Sequence, residues 1–415
     1  MSRPHLIALL APLAVLLPAR AENWPGWRGP TGQGVSADPK LPLKWSAKEN
    51  VAWKIPLPDV GNSTPVVWGD AIFLSQATDG GKKRSLWCLD RADGKARWER
   101  TVEFAAEEPK HATNTYCAGS PATDGERVVV SHGSAGVFCY DLAGKELWRR
   151  DFGPCHHIWG SSSTPVIHRN LVYLNFGPHE KTFLVALDKV TGAEVWKADE
   201  PGKAAKEYFG SWSTPVVAEV RGRDELLMSW PGVVKAYDPA GGSVLWTCRG
   251  LEKEGGADRL TYASPLVSGD TVFAAAGFGG AAVGIKSGGV GDVTDSHRLW
   301  RVAKNPQRIG SGVIVGDHAY VVNESGPACV ELKTGKTLWE EKIPGGAWGS
   351  IVRAGDRLYL TGQTGVTLVF AARPGYEELA RNPLDGATTR ASIVPADGAF
   401  LVRTYKHLWC VGAGR

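Results

Sequence analysis

The residues able to do chemistry in this 415-residue chain gather in short stretches rich in aromatic and imidazole side chains. His111, Asn114 and Tyr116 form one stretch, His156, His157 and Trp159 a second, and Tyr208 with Trp212 a third. Tyr262, Arg308, Trp348 and Arg390 stand in comparable places, each shortly ahead of an apolar run. Three imidazoles from two successive stretches could ligate a metal, with His111 joining His156 and His157. Neighbouring side chains on extended backbone point apart, so that pair serves one metal only where the chain turns tightly. Hydrogen bonding within the fold is the expected role of one of the two, and no metal site is assigned.

Other motifs dissolve on inspection. Thr334-Gly335-Lys336-Thr337 resembles the end of a phosphate-binding loop, yet position 330 is Val and the Gly belongs to a recurring hairpin turn. Residues 277–282 (GFGGAA) mimic a dinucleotide fingerprint, but glycine-rich sequence follows them where a helix is needed. Cys155 is followed directly by His156 and His157, so no C-x-x-C-H haem site exists. Neither H-E-x-x-H nor G-x-S-x-G occurs. No catalytic residue is assigned.

The elements that position these residues come from a repeat. A small residue, any residue, Asp, a turn with Gly and then Trp recur as CLDRADGKARW ending at Trp98, CYDLAGKELW at Trp148 and ALDKVTGAEVW at Trp196. The series continues as AYDPAGGSVLW at Trp246, a drifted SHRLW at Trp300 and CVELKTGKTLW at Trp339. The pattern is a hairpin: Asp bonds the turn amides, Gly supplies positive φ and the second strand carries Trp. Between these lies a second hairpin, such as STPVVWGDAIFLS from Ser63, which opens on a hydroxyl residue. Two hairpins per repeat are four strands, the content of one β-propeller blade. The opening hydroxyls Thr64, Ser120, Thr164, Thr214, Ser264, Ser311, Ser350 and Ser392 count eight blades. Blade seven has lost its Trp, with Leu379 near that place, and blade eight ends after HLWCVG. Residues 50–57, carrying Trp53, are expected to supply its missing strand and close the ring, which removes exposed edges.

Composition agrees with an all-β fold. Gly accounts for 51 residues and Trp for 17, while Met occurs only twice, a balance that favours turns and short strands. With 43% apolar and 22% charged residues the chain is globular. A net charge of +4 without a Lys/Arg block gives no footprint for nucleic acid. Arg3, the apolar run 6–17 and Ala19-Arg20-Ala21 read as a signal peptide over residues 1–21. Residues 22–49 are then an extended segment and residues 50–415 form the propeller, and loss of residues 22–36 is expected to be milder than loss of 50–57. No later stretch is long and apolar enough to span a membrane. No Cys at the cleavage point invites a lipid anchor, so a periplasmic or secreted monomer is expected. Cys88, Cys139, Cys329 and Cys410 occupy the motif position held elsewhere by Ala186 and Ala236, and read as small buried residues. Any disulfide would come from Cys117, Cys155 and Cys248, in or beside loops.

The motif resembles the pyrroloquinoline-quinone-type propeller repeat, whose docking Trp packs between blades, and the resemblance covers nearly all of residues 22–415. The opening NWPGWRGPTGQGVS, residues 23–36, also resembles exported bacterial quinone-binding-like repeat proteins. That repeat serves quinoprotein dehydrogenases and non-catalytic scaffolds of outer-membrane barrel assembly alike. The enzymes pair adjacent cysteines with Ca²⁺ and a catalytic Asp, and here no two Cys are adjacent. In such a ring the stretches named at the outset converge on one mouth of the central channel, a pattern suited to a ligand. The expectation is an exported binding or scaffolding propeller whose mouth takes a protein, glycan or small molecule. The alternative is an alcohol or sugar dehydrogenase using pyrroloquinoline quinone with Ca²⁺.

Overall fold

Every repeat hairpin forms as its spacing requires. The structure, a computed structural model, describes residues 22–204, 207–252 and 259–412, so the expected signal peptide lies outside the described residues. Asp90 accepts the Ala92 amide at 2.8 Å and Asp188 the Thr191 amide at 2.8 Å, while Gly94, Gly144, Gly192, Gly242 and Gly335 all take positive φ in their turns. The strands assemble into eight blade sheets arranged as an eight-bladed β-propeller, and Phe209–Ser211 pairs with Arg259–Thr261 in a separate two-stranded parallel sheet. Blade 1 runs Val66–Trp68, Ala71–Thr78, Lys83–Asp90 and Ala96–Glu103 from axis to rim. The inner strands of blades 2 to 7 begin at Ala122, Val166, Val216, Leu266, Val313 and Val352.

Blade 8 is completed from the other end of the chain. Val394–Pro395, Ala399–Arg403 and His407–Gly412 are joined by the N-terminal strand Val51–Pro56, with Trp53 opposite Cys410. Two blades depart from four strands. Val35–Ser36 adds a parallel strand inside blade 7, and Gly291–Asp292 adds one outside blade 4.

The docking tryptophans set the spacing between blades. Trp98, Trp148, Trp196, Trp246 and Trp339 each sit directly across the strand pair from Cys88, Cys139, Ala186, Ala236 and Cys329. A side chain facing an indole across 4.5–5.5 Å must be small, so these cysteines stand in for alanine. The indole then lies on the turn glycine of the next blade: a Cβ on Gly94 would come within 2.8 Å of Trp53, and one on Gly192 within 2.6 Å of Trp148. Its Nε1 donates to a carbonyl of that turn, as in Trp98 to Leu142 at 2.9 Å and Trp196 to Pro239 at 2.9 Å. Trp246 differs because blade 5 carries an insertion in place of the motif turn. Its indole is fully buried and donates to Glu225 Oε2 at 2.8 Å.

Blade 7 has no tryptophan because blade 8 has no turn for one to dock on; the chain is open between its third and fourth strands. Ala380, beside Leu379, occupies the register place opposite Val369. Leu41 and Trp45 of the N-terminal segment cover the gap, held by Asn382, which accepts the Trp45 amide at 3.0 Å and donates to the Leu43 carbonyl at 3.0 Å.

All seven cysteines are free and buried, and Cys248 lies in the strand Val244–Arg249 instead of a loop. Burial raises the thiols of Cys139, Cys155, Cys329 and Cys410 to about 12.

Trp196→Ala is expected to cost about 3–5 kcal/mol in chemical denaturation, because it empties a closed inter-blade contact. A loss below about 1 kcal/mol would rule out that docking role. Deleting residues 50–57 should abolish a single cooperative unfolding transition, whereas deleting 22–36 should leave the ring closed. Scanning calorimetry of both deletions distinguishes them, and equal tolerance would contradict the closure.

Candidate functional site

The site is built on a ring of hydroxyls. Thr64 N–H donates to Ser120 Oγ at 2.9 Å, Ser120 to Thr164 at 3.2 Å, Thr214 to Ser264 at 3.1 Å and Ser264 to Ser311 at 3.0 Å. Ser311 donates to Ser350 at 3.0 Å, Ser350 to Ser392 at 2.9 Å, and Ser392 back to Thr64 at 3.0 Å. The backbone amide of the first residue is thus satisfied by the next blade's side chain at every joint but that between Thr164 and Thr214. Above this ring the connections between blades converge on one mouth; below it the N-terminal segment crosses the channel.

That crossing makes residues 22–36 a floor. Trp24 exchanges backbone hydrogen bonds of 2.9 Å with Val67 of blade 1, and the Pro25 carbonyl accepts from Thr123 of blade 2 at 2.8 Å. Gln33 Oε1 accepts from Val267 of blade 5 at 2.9 Å. The buried Arg28 guanidinium donates to the carbonyls of Ser311 at 3.1 Å and Gly312, and the Gly34 carbonyl accepts from Arg353 of blade 7 at 2.8 Å. With no carboxylate beside it, burial lowers the Arg28 pKa to about 9. Trp27 rises between these anchors into the channel.

A cavity of about 370 Å³ opens at the mouth. Of the twelve residues singled out in the sequence, His111, Asn114, Trp159 and Trp212 line it, together with Tyr262, Arg308, Trp348 and Arg390. The wall is a near-continuous aromatic arc: His111 lies 4.4 Å from Trp159, Trp212 lies 5.2 Å from Tyr262, and Tyr262 lies 5.8 Å from Phe278. Two guanidiniums stack on it, Arg308 at 4.6 Å from Phe278 and Arg390 at 4.5 Å from Trp348. Such stacking orients the cation at little cost in hydration. Arg308 also pairs with the exposed Glu324.

Four of the twelve lie outside the cavity. Tyr116 packs behind the wall, its hydroxyl donating to the Glu108 carbonyl at 3.0 Å and its ring 5.1 Å from the Arg84 guanidinium. His157 is buried, with Nε2 3.1 Å from the Glu207 carbonyl and its ring edge-on to Trp212 at 5.0 Å. Desolvation keeps its pKa below the ordinary imidazole value. It therefore props Trp212 from behind instead of facing a ligand. His156 is half-buried off the lining, and Tyr208 stands at the rim, 6.2 Å from Trp159. The imidazoles split between wall and support, and among the described residues no group of three His, Cys, Asp or Glu is placed to hold a metal.

Sequence reasoning missed Trp27, Phe278, Asn62 and Thr113 in the lining. Phe278, in the discounted GFGGAA stretch, carries a positive φ of 53°. That uncommon conformation for a large side chain is the signal of a special site. Nothing local marks Trp27, because only the return of the segment to the axis puts it there.

The donor set does not fit the cation of the quinone alternative. Ca²⁺ requires six to eight oxygen ligands, usually with carboxylates among them. The lining holds no Asp or Glu, and the amide oxygens of Asn62 and Asn114 already accept from Tyr405 at 3.0 Å and the Thr115 amide at 2.8 Å.

A closed eight-bladed ring with this docking tryptophan defines a quinone-type propeller. The chain belongs to the family described as "Outer membrane protein assembly factor BamB", whose model matches residues 88–341 and 292–413. BamB from Moraxella catarrhalis shares the fold at a TM-score of 0.60 and 15% identity, covering 86% of this chain and 98% of that one. Quinohemoprotein alcohol dehydrogenase from Comamonas testosteroni does so at 0.66 and 12%, covering 95% and 81%. The tetrathionate hydrolase of Acidithiobacillus ferrooxidans is 25% identical over 295 residues, 66% of this chain. The chain matches about half of that relative's length, 53%.

Behind the wall, Arg84 bridges Glu108 Oε2 and the His132 carbonyl, each at 2.5 Å. His132 is buried with both ring nitrogens unpartnered, and desolvation, aided by the Arg84 charge, lowers its pKa to about 3. The unfolded imidazole protonates near 6.5, so the folded protein has its full stability above that value and loses it as pH falls toward 3. His132→Phe is expected to reduce the stability lost between about pH 7 and about pH 4 by on the order of 1–3 kcal/mol. Denaturation curves of both proteins at the two pH values measure it, and identical losses would refute it.

Proposed function

We propose that this protein is an exported, non-catalytic binding or scaffolding propeller whose aromatic mouth is the ligand or partner site. The observation that carries the reading is the mouth's own chemistry. Six aromatic side chains, two arginines and a set of hydroxyls converge there, without an acidic group to take or give a proton. Cys117, Cys155 and Cys248 lie buried in the protein and supply no accessible nucleophile at the lining. Membership of a family described by an assembly factor is consistent with a partner, and among the described residues no helix is long and apolar enough to cross a membrane. Export rests on the leader-like residues 1–21, and N-terminal sequencing of the protein from a periplasmic or culture fraction should begin near Glu22.

The dehydrogenase alternative is tested directly. Purified protein given pyrroloquinoline quinone and Ca²⁺ should show no quinone-dependent dye reduction with alcohols or sugars. Turnover that disappears in the Trp159→Ala, Trp212→Ala double variant would overturn the non-catalytic reading. The same double variant should remain folded by circular dichroism and lose binding of mouth ligands at least about tenfold, the scale of two lost aromatic contacts. Unchanged binding would move the site away from the mouth.

A further inference from the structure

The mouth is asymmetric in its hydrogen-bonding groups, and that asymmetry selects a ligand. Several of its side-chain acceptors are already engaged in the fold. The hydroxyl oxygens of Thr64, Ser120 and Ser392 each receive a backbone N–H from a neighbouring blade, and the Asn62 and Asn114 amide oxygens are engaged. Its donors are not. A hydroxyl that accepts one bond keeps its own proton, and those of Thr64, Ser120 and Ser392 have no acceptor among the described residues.

Arg390 adds a charge of the same polarity. Its Nε donates to Gln363 Oε1 at 3.0 Å, and its Nη1 to the Thr113 carbonyl at 2.8 Å and to the Tyr405 hydroxyl. All three partners are neutral, and Nη2 is left without one among the described residues. A guanidinium held against an indole, in a concavity with no carboxylate in its lining, keeps its field unneutralised. A neutral ligand would leave that charge without a counter-ion.

The cavity also has a closed end. Trp27 rises from the N-terminal floor into the same space, so the mouth is a blind pocket of about 370 Å³ and not a through-channel. That volume suits a small molecule and is too short for a threaded peptide.

We infer that the mouth binds a small organic oxyanion, a carboxylate or sulfonate on a flat apolar body. Its oxygens meet Arg390 Nη2 and the free protons of Ser392, Thr64 and Ser120, while its body lies in the aromatic arc above Trp27. The inference rests on the proposal that the mouth is the ligand site.

Naphthoate and naphthalenesulfonate, with naphthamide as the neutral counterpart, test it by isothermal titration of the full protein. Both anions should bind at least tenfold more tightly than the amide. Arg390→Gln should lower the anion-to-amide affinity ratio at least tenfold, and Arg390→Lys should restore part of the loss. Because Arg390 also ties three loops together, the anion-to-amide ratio in the unaltered protein decides the matter should the Gln variant unfold. Equal affinities for anions and amide would overturn the oxyanion inference. If that common binding were lost in the Trp159→Ala, Trp212→Ala variant, the mouth would still be the site. Binding indifferent to the double variant would overturn both, and no binding of either anion up to millimolar concentration would overturn the inference alone.

Discussion

Eight sheets can surround an axis only if the backbone at the axis is satisfied, because the first residue of each inner strand has no neighbour of its own blade there. Here the neighbour blade supplies it. At seven of the eight joints a backbone amide reaches the next blade's hydroxyl, as from Thr64 to Ser120 and from Ser392 back to Thr64. The polarity of the mouth follows in part from the same bonds, since Thr64, Ser120 and Ser392 accept backbone amides there.

The rim obeys a second constraint that works outward from the first. Blades diverge with distance from the axis, and the gap between them must be filled by something large. Indoles do this at Trp53, Trp98, Trp148, Trp196 and Trp300, each lying on a glycine of the following turn. The two irregular joints explain themselves in these terms. Where blade 5 lacks the turn, an added strand, Gly291–Asp292, seals Trp246. Where blade 8 has no turn, blade 7 has no tryptophan and the N-terminal segment brings Trp45 to the seam.

That segment links closure to the site. It begins beside blade 1, crosses under the ring to blade 7, covers the seam and ends as the outer strand of blade 8. One stretch of chain therefore closes the propeller and provides the floor of its pocket. The buried Arg28, held by carbonyls alone, is the anchor of that crossing.

The sequence by itself determined the ring: hairpin periodicity, the count of eight hydroxyls and the unpaired strand at residues 50–57 are local or counted features, and local chemistry dictates them. It also placed most of the mouth, because the loops just ahead of the inner strands converge on the axis; the loops of His111, Trp159, Trp212 and Arg390 follow from topology alone. Which way a side chain turns from such a loop is a matter of packing, and there the sequence was silent. His157 went behind Trp212 and Tyr116 behind the wall because buried carbonyls, not solvent, satisfied them. The path of residues 22–36 was decided only by tertiary structure. Its anchors, Val67, Thr123, Val267, Ser311 and Arg353, lie up to hundreds of residues away, and no spacing within NWPGWRGP encodes contacts that exist only once the ring has formed.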